Sequence, residues 1–170
     1  MATGDGTGAE SETGAAALRR SVAECNACAC AFAATPTAHA PRPVLQIGPG
    51  ARVCIAGQAP GLQAHEKRRP FDDPSGVRLR RWLELTPETF YDPDRLAILP
   101  MAFCFPGHDA RGGDLPPPKR CAELWRARLL AAHPRLELIV ILGKHALDWH
   151  LGRGAYPSLT AAAADWRARL

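Results

Sequence analysis

The stretch LELIVILG, residues 136–143, decides the fold class of this 170-residue chain. It is the most apolar run in the sequence, it ends at a glycine, and a helix-like segment over residues 144–151 follows it. A continuous apolar run of this length is typical of a strand that is buried on both faces of a parallel sheet. The run is also far shorter than the ~20 residues that a membrane span needs. We therefore predict a buried parallel strand.

Outward from this stretch, strand-like and helix-like segments alternate along the chain. Residues 51–57 (ARVCIAG) and 96–103 (LAILPMAF) predict two further strands, whereas residues 77–85, 121–133 and 160–170 predict helices. This alternation indicates an α/β fold, specifically a three-layer α/β/α sandwich with a short parallel sheet. Ligands of such sheets bind beyond the carboxyl ends of the strands, so the loops that follow the strands are the candidate site.

The composition fits one soluble globular domain, with 46% apolar and 22% charged residues. Residues 1–16 are poor in bulky apolar side chains and predict a disordered tail, so the domain is expected over residues 17–170. The N-terminus lacks the basic-then-apolar pattern of a secretion signal, and we expect a cytoplasmic monomer that does not bind membranes. The net charge of +4 permits an anionic partner without requiring one.

Several apolar residues are expected in the core. Cys54 lies inside the first predicted strand, where cysteine acts as a small apolar side chain. Four tryptophans fall in helical segments and are also expected in the core: Trp82, Trp125, Trp149 and Trp166.

The loop after the first predicted strand reads Gly57-Gln58-Ala59-Pro60-Gly61. Two glycines and a proline allow a backbone to approach a ligand closely. The loop lacks both the Gly-Lys-Ser/Thr of a phosphate-binding loop and the three-glycine dinucleotide fingerprint. Two interpretations stay open: a ligand-binding loop, or a tight structural turn.

Phe71 stands in a polar, turn-rich stretch, RPFDDPSG over residues 69–76. An aromatic side chain on a loop can stack on a nucleic-acid base, which contributes ~1–3 kcal/mol. The alternative is a loop phenylalanine that caps the core.

Four cysteines are spaced as candidate metal ligands. Cys25 and Cys28 form a C-x-x-C pair, Cys104 follows the second predicted strand, and Cys121 opens the next helix. Four thiolates that a fold brings together can hold an iron–sulfur cluster or zinc. Ordinary reduced thiols are the alternative, and Cys30 could replace Cys28 as a ligand.

Taken together, these features resemble the uracil-DNA glycosylase superfamily, most closely its iron–sulfur branch. The resemblance covers residues 23–151. The residues that carry it are Cys25, Cys28, the 57–61 loop, Pro70-Phe71, Cys104, the prolines 116–118, Cys121 and the LGKHA step over residues 142–146.

The resemblance implies base excision: an enzyme that swings uracil out of DNA, stacks it on the phenylalanine and hydrolyses its N-glycosidic bond. Phe71 would be the stacking platform. The loop would supply backbone amides and hold the water. Substrate-binding residues would then be Gly57, Ala59, Pro60, Gly61 and Phe71. A structural 4Fe–4S cluster on Cys25, Cys28, Cys104 and Cys121 is implied, with zinc as the alternative.

The sequence departs from the family pattern at several positions. Gln58 stands where the family has an acid, and an amide can orient water but cannot take its proton. Pro100 stands where the family usually has an asparagine that reads the uracil edge. Asp72 and Asp73 follow the phenylalanine, and we hypothesise that one of them activates water alongside Gln58. The alternative is that both are turn and cap residues.

No His-Pro-Ser motif occurs in the chain, whereas the family carries one after a fourth strand. Either the chain is truncated at its C-terminus or it is a divergent member. Two rival functions therefore stay beside uracil excision. One is a catalytically impaired nucleic-acid-binding module of the same fold, and the other is a small-molecule hydrolase that uses the same pocket.

Overall fold

The computed structural model describes the backbone of residues 6–170 and the side chains from residue 14 onward. Its strands are β1 (Val53–Ala56), β2 (Leu96–Ile98) and β3 (Leu138–Ile141). Its helices are α1 (Gly6–Ala23), α2 (Ala29–Ala33), α3 (Leu62–Lys67), α4 (Pro74–Trp82), α5 (Pro87–Phe90), α6 (Lys119–Ala131), α7 (Lys144–His150), α8 (Leu159–Ala164) and a final 3-10 turn, Trp166–Arg169.

The three strands form one parallel sheet in the order β2-β1-β3. In its register, Cys54 of the central strand lies opposite Ala97 on one side and Ile139 on the other. The predicted α/β class with a short parallel sheet is confirmed.

Helices cover both faces of this sheet. Cys54 belongs to a core cluster that includes Val22 of α1 and Leu129 of α6. Its neighbour Ile55 belongs to a second cluster with Leu79 of α4, Phe90 of α5 and other residues. Successive strand residues point to opposite faces, so this division of neighbours places one helical layer on each side. The three-layer arrangement follows.

Two strands differ from their predicted extent or environment. The predicted strand over residues 96–103 ends at Ile98, because Pro100 has no N–H for a sheet ladder. The run chosen as the most buried strand is β3, an edge strand, and Leu138 is 41% exposed. Within the described residues, β3 pairs only with β1. An apolar run alone does not distinguish a central strand from an edge strand.

Helix α1 begins at Gly6 and so overlaps the segment predicted as a disordered tail from residue 6 onward. Ala15 and Val22 of this helix are buried. Residues 1–5 lie outside the described part of the chain. No helix among the described residues is long and apolar enough to cross a membrane.

The tryptophan prediction is wrong for most of its members. Trp125 packs against the first core cluster, but Trp82 is 71% exposed, and Trp149 and Trp166 are exposed as well. On α7 the buried positions are Ala146 and Leu147, and Ala146 packs with Ile139 and Ile141 of β3. Cys54 is fully buried, as expected.

Candidate functional site

A cavity of about 560 Å³ opens at the carboxyl ends of the strands. This volume is within the ~300–1,000 Å³ typical of small-molecule sites. Its walls come from the loop after β1, the turn before α4, and the ends of β2 and β3. The lining residues include Gly57, Gln58, Ala59, Pro60, Gly61, Phe71, Asp73, Ser75, Pro100, Asp114 and Leu142. The predicted loop after β1 is therefore part of the cavity wall.

The end of β2 reaches the cavity through other residues than the sequence indicated. Ile98 and Pro100 line it, whereas Phe103, the predicted last residue of this strand, is buried in the first core cluster. The strand stops earlier than predicted, so the turn that follows it also comes earlier.

Backbone hydrogen bonds hold the loop after β1 in place. The carbonyl of Gly57 accepts from the amide of Met101 at 2.8 Å, and the carbonyl of Gln58 accepts from the amide of Ala102 at 3.1 Å. Among the described residues, no hydrogen bond uses the amide of Ala59. This amide can therefore serve a bound group.

Phe71 has a left-handed backbone conformation, with φ of +54°, which is strained for a side chain of this size. Its carbonyl accepts from the Tyr91 hydroxyl at 3.1 Å and from Arg80 Nη1 at 3.4 Å. Its ring lies edge-on to Phe90 at 6.2 Å, and a Cβ placed on Gly57 would lie 3.4 Å from ring atom Cζ. The ring packs on the core and also lines the cavity, so features of both interpretations are present.

The two carboxylate oxygens of Asp73 have different environments. Oδ1 caps α4, accepting from the amide of Gly76 at 3.0 Å and the hydroxyl of Ser75 at 2.5 Å. Oδ2 faces the loop, since a Cβ placed on Gly61 would lie 3.7 Å from it. No hydrogen bond to Oδ2 occurs among the described residues. Asp73 thus has the predicted cap role and also presents an oxygen at the cavity.

Asp72 does not line the cavity. Its carboxylate lies 3.4 Å from Lys67 Nζ in a solvent-accessible ion pair. Instead, Asp114 supplies a second carboxylate to the cavity wall, and it pairs with His108 Nε2 at 3.1 Å. Sequence reasoning missed Asp114, although its place in the long loop after β2 was the available signal.

The four predicted ligand cysteines line a second pocket, beside α6. Cys25, Cys28, Cys104 and Cys121 all contribute to its wall, whereas Cys30 is exposed and does not. In the part of the chain that the structure describes, no group of three or more His, Cys, Asp or Glu side chains is arranged to hold a metal ion. The thiols share one pocket without forming a closed coordination site.

Two of these sulfurs accept hydrogen bonds at 3.3 Å: Cys121 Sγ from the amide of Phe103, and Cys25 Sγ from Trp125 Nε1. Burial raises the pKa of Cys104 to about 12 and that of Cys121 to about 11, and the neighbouring thiols add to both increases. The thiols of Cys104 and Cys121 are therefore protonated near neutral pH when no cation is bound. Four cysteines with N–H donors at two sulfurs fit the ligand chemistry of an iron–sulfur cluster or zinc.

The fold and the cavity define a class of protein: a parallel α/β domain with a ligand cavity at the carboxyl edge of its sheet, walled by a glycine-containing loop and a strained aromatic. The family model described as the Uracil DNA glycosylase superfamily matches residues 44–167. This match covers most of the chain, which belongs to that superfamily. The matched region contains the sheet, the cavity loops, Cys104 and Cys121; Cys25 and Cys28 precede it.

Two histidines outside the cavity lining have strongly lowered pKa values: His65, which is buried, and His150, which is partly buried. Burial is the main cause that lowers the pKa of His65 on α3 to about 4, and the charges of His39 and nearby arginines contribute. Burial and the charge of Arg126 lower the pKa of His150 on α7 to about 4. Both histidines are therefore neutral in the folded state near pH 7.

The folded protein is expected to lose stability as the pH falls from about 6.5 towards about 4. The unfolded chain takes up protons at histidine below about pH 6.5, whereas the folded chain does so only near its depressed pKa values. The loss is on the order of 2 kcal/mol for each histidine. Urea titrations at pH 7, 6 and 5 measure it, with His145→Gln, at an exposed position, as the control. A flat profile over this range would contradict the expectation.

Proposed function

We propose that this chain binds a base swung out of DNA in the cavity and hydrolyses its N-glycosidic bond, with uracil as the leading substrate. The observation that carries the proposal is that Phe71 and the loop 57–61 line one cavity of about 560 Å³ at the carboxyl edge of the sheet. A flat aromatic ring offers stacking, and free backbone amides offer hydrogen bonds to a base.

In the proposed reaction, a water oxygen bonds to C1′ of the deoxyribose while the bond between C1′ and the base nitrogen breaks. The electron pair of that bond leaves with the base, so negative charge builds on the base. Ala59 lines the cavity and its amide has no hydrogen-bond acceptor among the described residues, so we assign to this amide the stabilisation of such charge. Asp73 Oδ2 takes the proton of the attacking water, and Gln58 orients that water, since its amide cannot accept the proton.

Asp73→Asn is expected to lower the rate of base release by about 10²- to 10⁴-fold, which is the range of general-base contributions. Asparagine is as good a helix cap as aspartate, so α4 keeps its start while the charge at the cavity is lost. Single-turnover release of uracil measures the effect. Asp72→Asn is the matched control, because Asp72 lies outside the cavity lining and its ion pair is solvent-accessible. Equal rates in both variants would remove Asp73 from the proposal.

The proposed function itself is tested with the unmodified protein. A labelled oligonucleotide with one uracil is incubated with the protein and then cleaved with alkali, which breaks abasic sites. We expect a single shorter product that an unmodified oligonucleotide does not give. The proposal would be refuted if the protein gave no shorter product and also showed no preference for binding the uracil strand.

A base-binding module without catalysis is the second candidate function. It is favoured by Gln58, which replaces the family's acid, and by Pro100, which lines the cavity without a side-chain donor. Preferential, salt-dependent binding of the uracil strand with no abasic product would select this candidate over the enzyme.

We also propose that Cys25, Cys28, Cys104 and Cys121 hold a structural 4Fe–4S cluster, with zinc as the alternative. What supports this is that all four line one pocket, whereas Cys30 is exposed. When bound, the cluster would crosslink the segment before α2, the segment after β2 and the start of α6. Binding would require the thiols to lose their protons and close on the metal.

Protein purified without oxygen is expected to be brown and to contain about four iron atoms per chain. Cys121→Ser should lose most of this iron, whereas Cys30→Ser should retain it. Elemental analysis and the visible spectrum measure both. A colourless preparation with stoichiometric zinc would select the alternative metal, and a preparation with neither metal would refute the site.

A further inference from the structure

We infer that Arg126 of α6 is a positioning residue that fixes the segment of residues 99–104 and thereby joins the base cavity to the thiol pocket. The functions of the two sites rest on the proposals above. The mechanical link between them rests on hydrogen bonds within this chain alone.

Arg126 is 0% exposed. Its Nη1 donates to the carbonyl of Leu99 at 2.6 Å and approaches that of Pro100 at 3.3 Å. Its Nε donates to Nε2 of His150 at 3.0 Å. Among the described residues, none gives it a carboxylate partner. Burying a cation costs free energy, and an apolar side chain of similar volume often gives equal or greater stability at such a position. A purely stabilising role is therefore a poor explanation of a buried arginine here.

The segment that Arg126 holds contacts the base cavity. Pro100 forms part of the cavity wall. The next two amides, of Met101 and Ala102, donate to the carbonyls of Gly57 and Gln58. The position of the loop 57–61 therefore depends on the position of this segment.

The same segment also contacts the thiol pocket. The amide of Phe103 donates to Cys121 Sγ, and Cys104 lines the pocket. Helix α6 thus binds one end of the segment through Arg126 and the other end through Cys121.

Holding this segment requires several N–H donors in a fixed geometry, which the planar guanidinium of Arg126 provides. It reaches two carbonyls and a ring nitrogen at once, whereas the ammonium of lysine is a compact point charge on a flexible stem. Arg126→Lys therefore keeps the charge and removes the geometry. Leu129→Ala is the matched control. Leu129 lies about one turn further along the same helix, is as fully buried as Arg126, and belongs to the first core cluster.

Hydrogen exchange of backbone amides, measured on the full chain, tests the inference. In Arg126→Lys, the amides of Met101 and Ala102 are expected to exchange at least about tenfold faster than in the unchanged protein, while amides of β1 and β3 keep their rates. In Leu129→Ala, any acceleration should affect the sheet and the segment alike. If Arg126→Lys does not fold, His150→Ala gives the same test with a smaller change.

Two outcomes overturn the inference: unchanged exchange at Met101 and Ala102, or acceleration in proportion to that of the sheet. Uracil-strand binding and iron content of the same variants are then compared, and we expect both to fall in Arg126→Lys by more than in Leu129→Ala. If the unchanged protein neither releases uracil nor binds iron, the proposed functions fail. The exchange result still decides the role of Arg126.

Discussion

Gly76→Ala is expected to lower the free energy of unfolding by about 3 kcal/mol and to abolish binding of the uracil strand. A Cβ at this position would overlap the carbonyl oxygen of Phe71 and would lie 2.7 Å from its carbonyl carbon. Neither backbone segment can shift easily to relieve this overlap. The Phe71 carbonyl also accepts a hydrogen bond from the Tyr91 hydroxyl, and the Gly76 amide donates to the capping carboxylate of Asp73. Overpacking costs ~1–3 kcal/mol, and a clash between two backbones belongs at the upper end.

The control is the same substitution where space is free. Gly14 has no heavy atom within 4 Å of an added Cβ, and it lies inside α1. Gly14→Ala should therefore raise stability by ~0.5–1 kcal/mol, because alanine favours helix. Urea denaturation measures both variants. An unfolding free energy of Gly76→Ala close to that of the unchanged protein would mean that the turn before α4 relaxes freely and that the Phe71 conformation is not imposed by packing.

Local sequence patterns predicted the parts of this fold that depend on local chemistry. The apolar run over residues 136–143 and the run that contains Cys54 both became strands of one parallel sheet. The loop 57–61 lines the cavity because a strand that ends at glycine must turn at the carboxyl edge. These inferences need only periodicity and turn residues.

Other features depend on which elements meet in space, and no local pattern contains that information. The neighbours Asp72 and Asp73 look equivalent in sequence, yet the start of α4 directs Asp73 into the cavity and leaves Asp72 beside Lys67. Asp114 reaches the cavity from a loop more than 50 residues beyond the loop that forms the opposite part of the site.

The burial of Arg126 also depends on which elements meet in space. Arg126 is charged yet fully buried, because the carbonyls at the end of β2 and the ring of His150 satisfy its donors within the protein. Only the meeting of β2, α6 and α7 makes this burial possible. A buried cation is therefore evidence of tertiary structure that composition cannot supply.

Phe71→Leu is expected to weaken binding of a uracil-containing strand by about 10- to 100-fold, which corresponds to the loss of one base–aromatic stack of ~1–3 kcal/mol. Leucine keeps most of the apolar contact that Phe71 makes with the second core cluster, so folding should lose less than ~1.5 kcal/mol. Phe71→Tyr keeps the aromatic face and should bind within about threefold of the unchanged protein. Fluorescence titrations with the uracil strand and an unmodified strand measure the difference, at a salt concentration held constant. The unmodified strand should bind all three proteins equally, because it places no base on the ring. If Phe71→Leu binds the uracil strand as tightly as Phe71→Tyr, the ring is a core residue that happens to border the cavity, and the base must be held by the loop 57–61 alone.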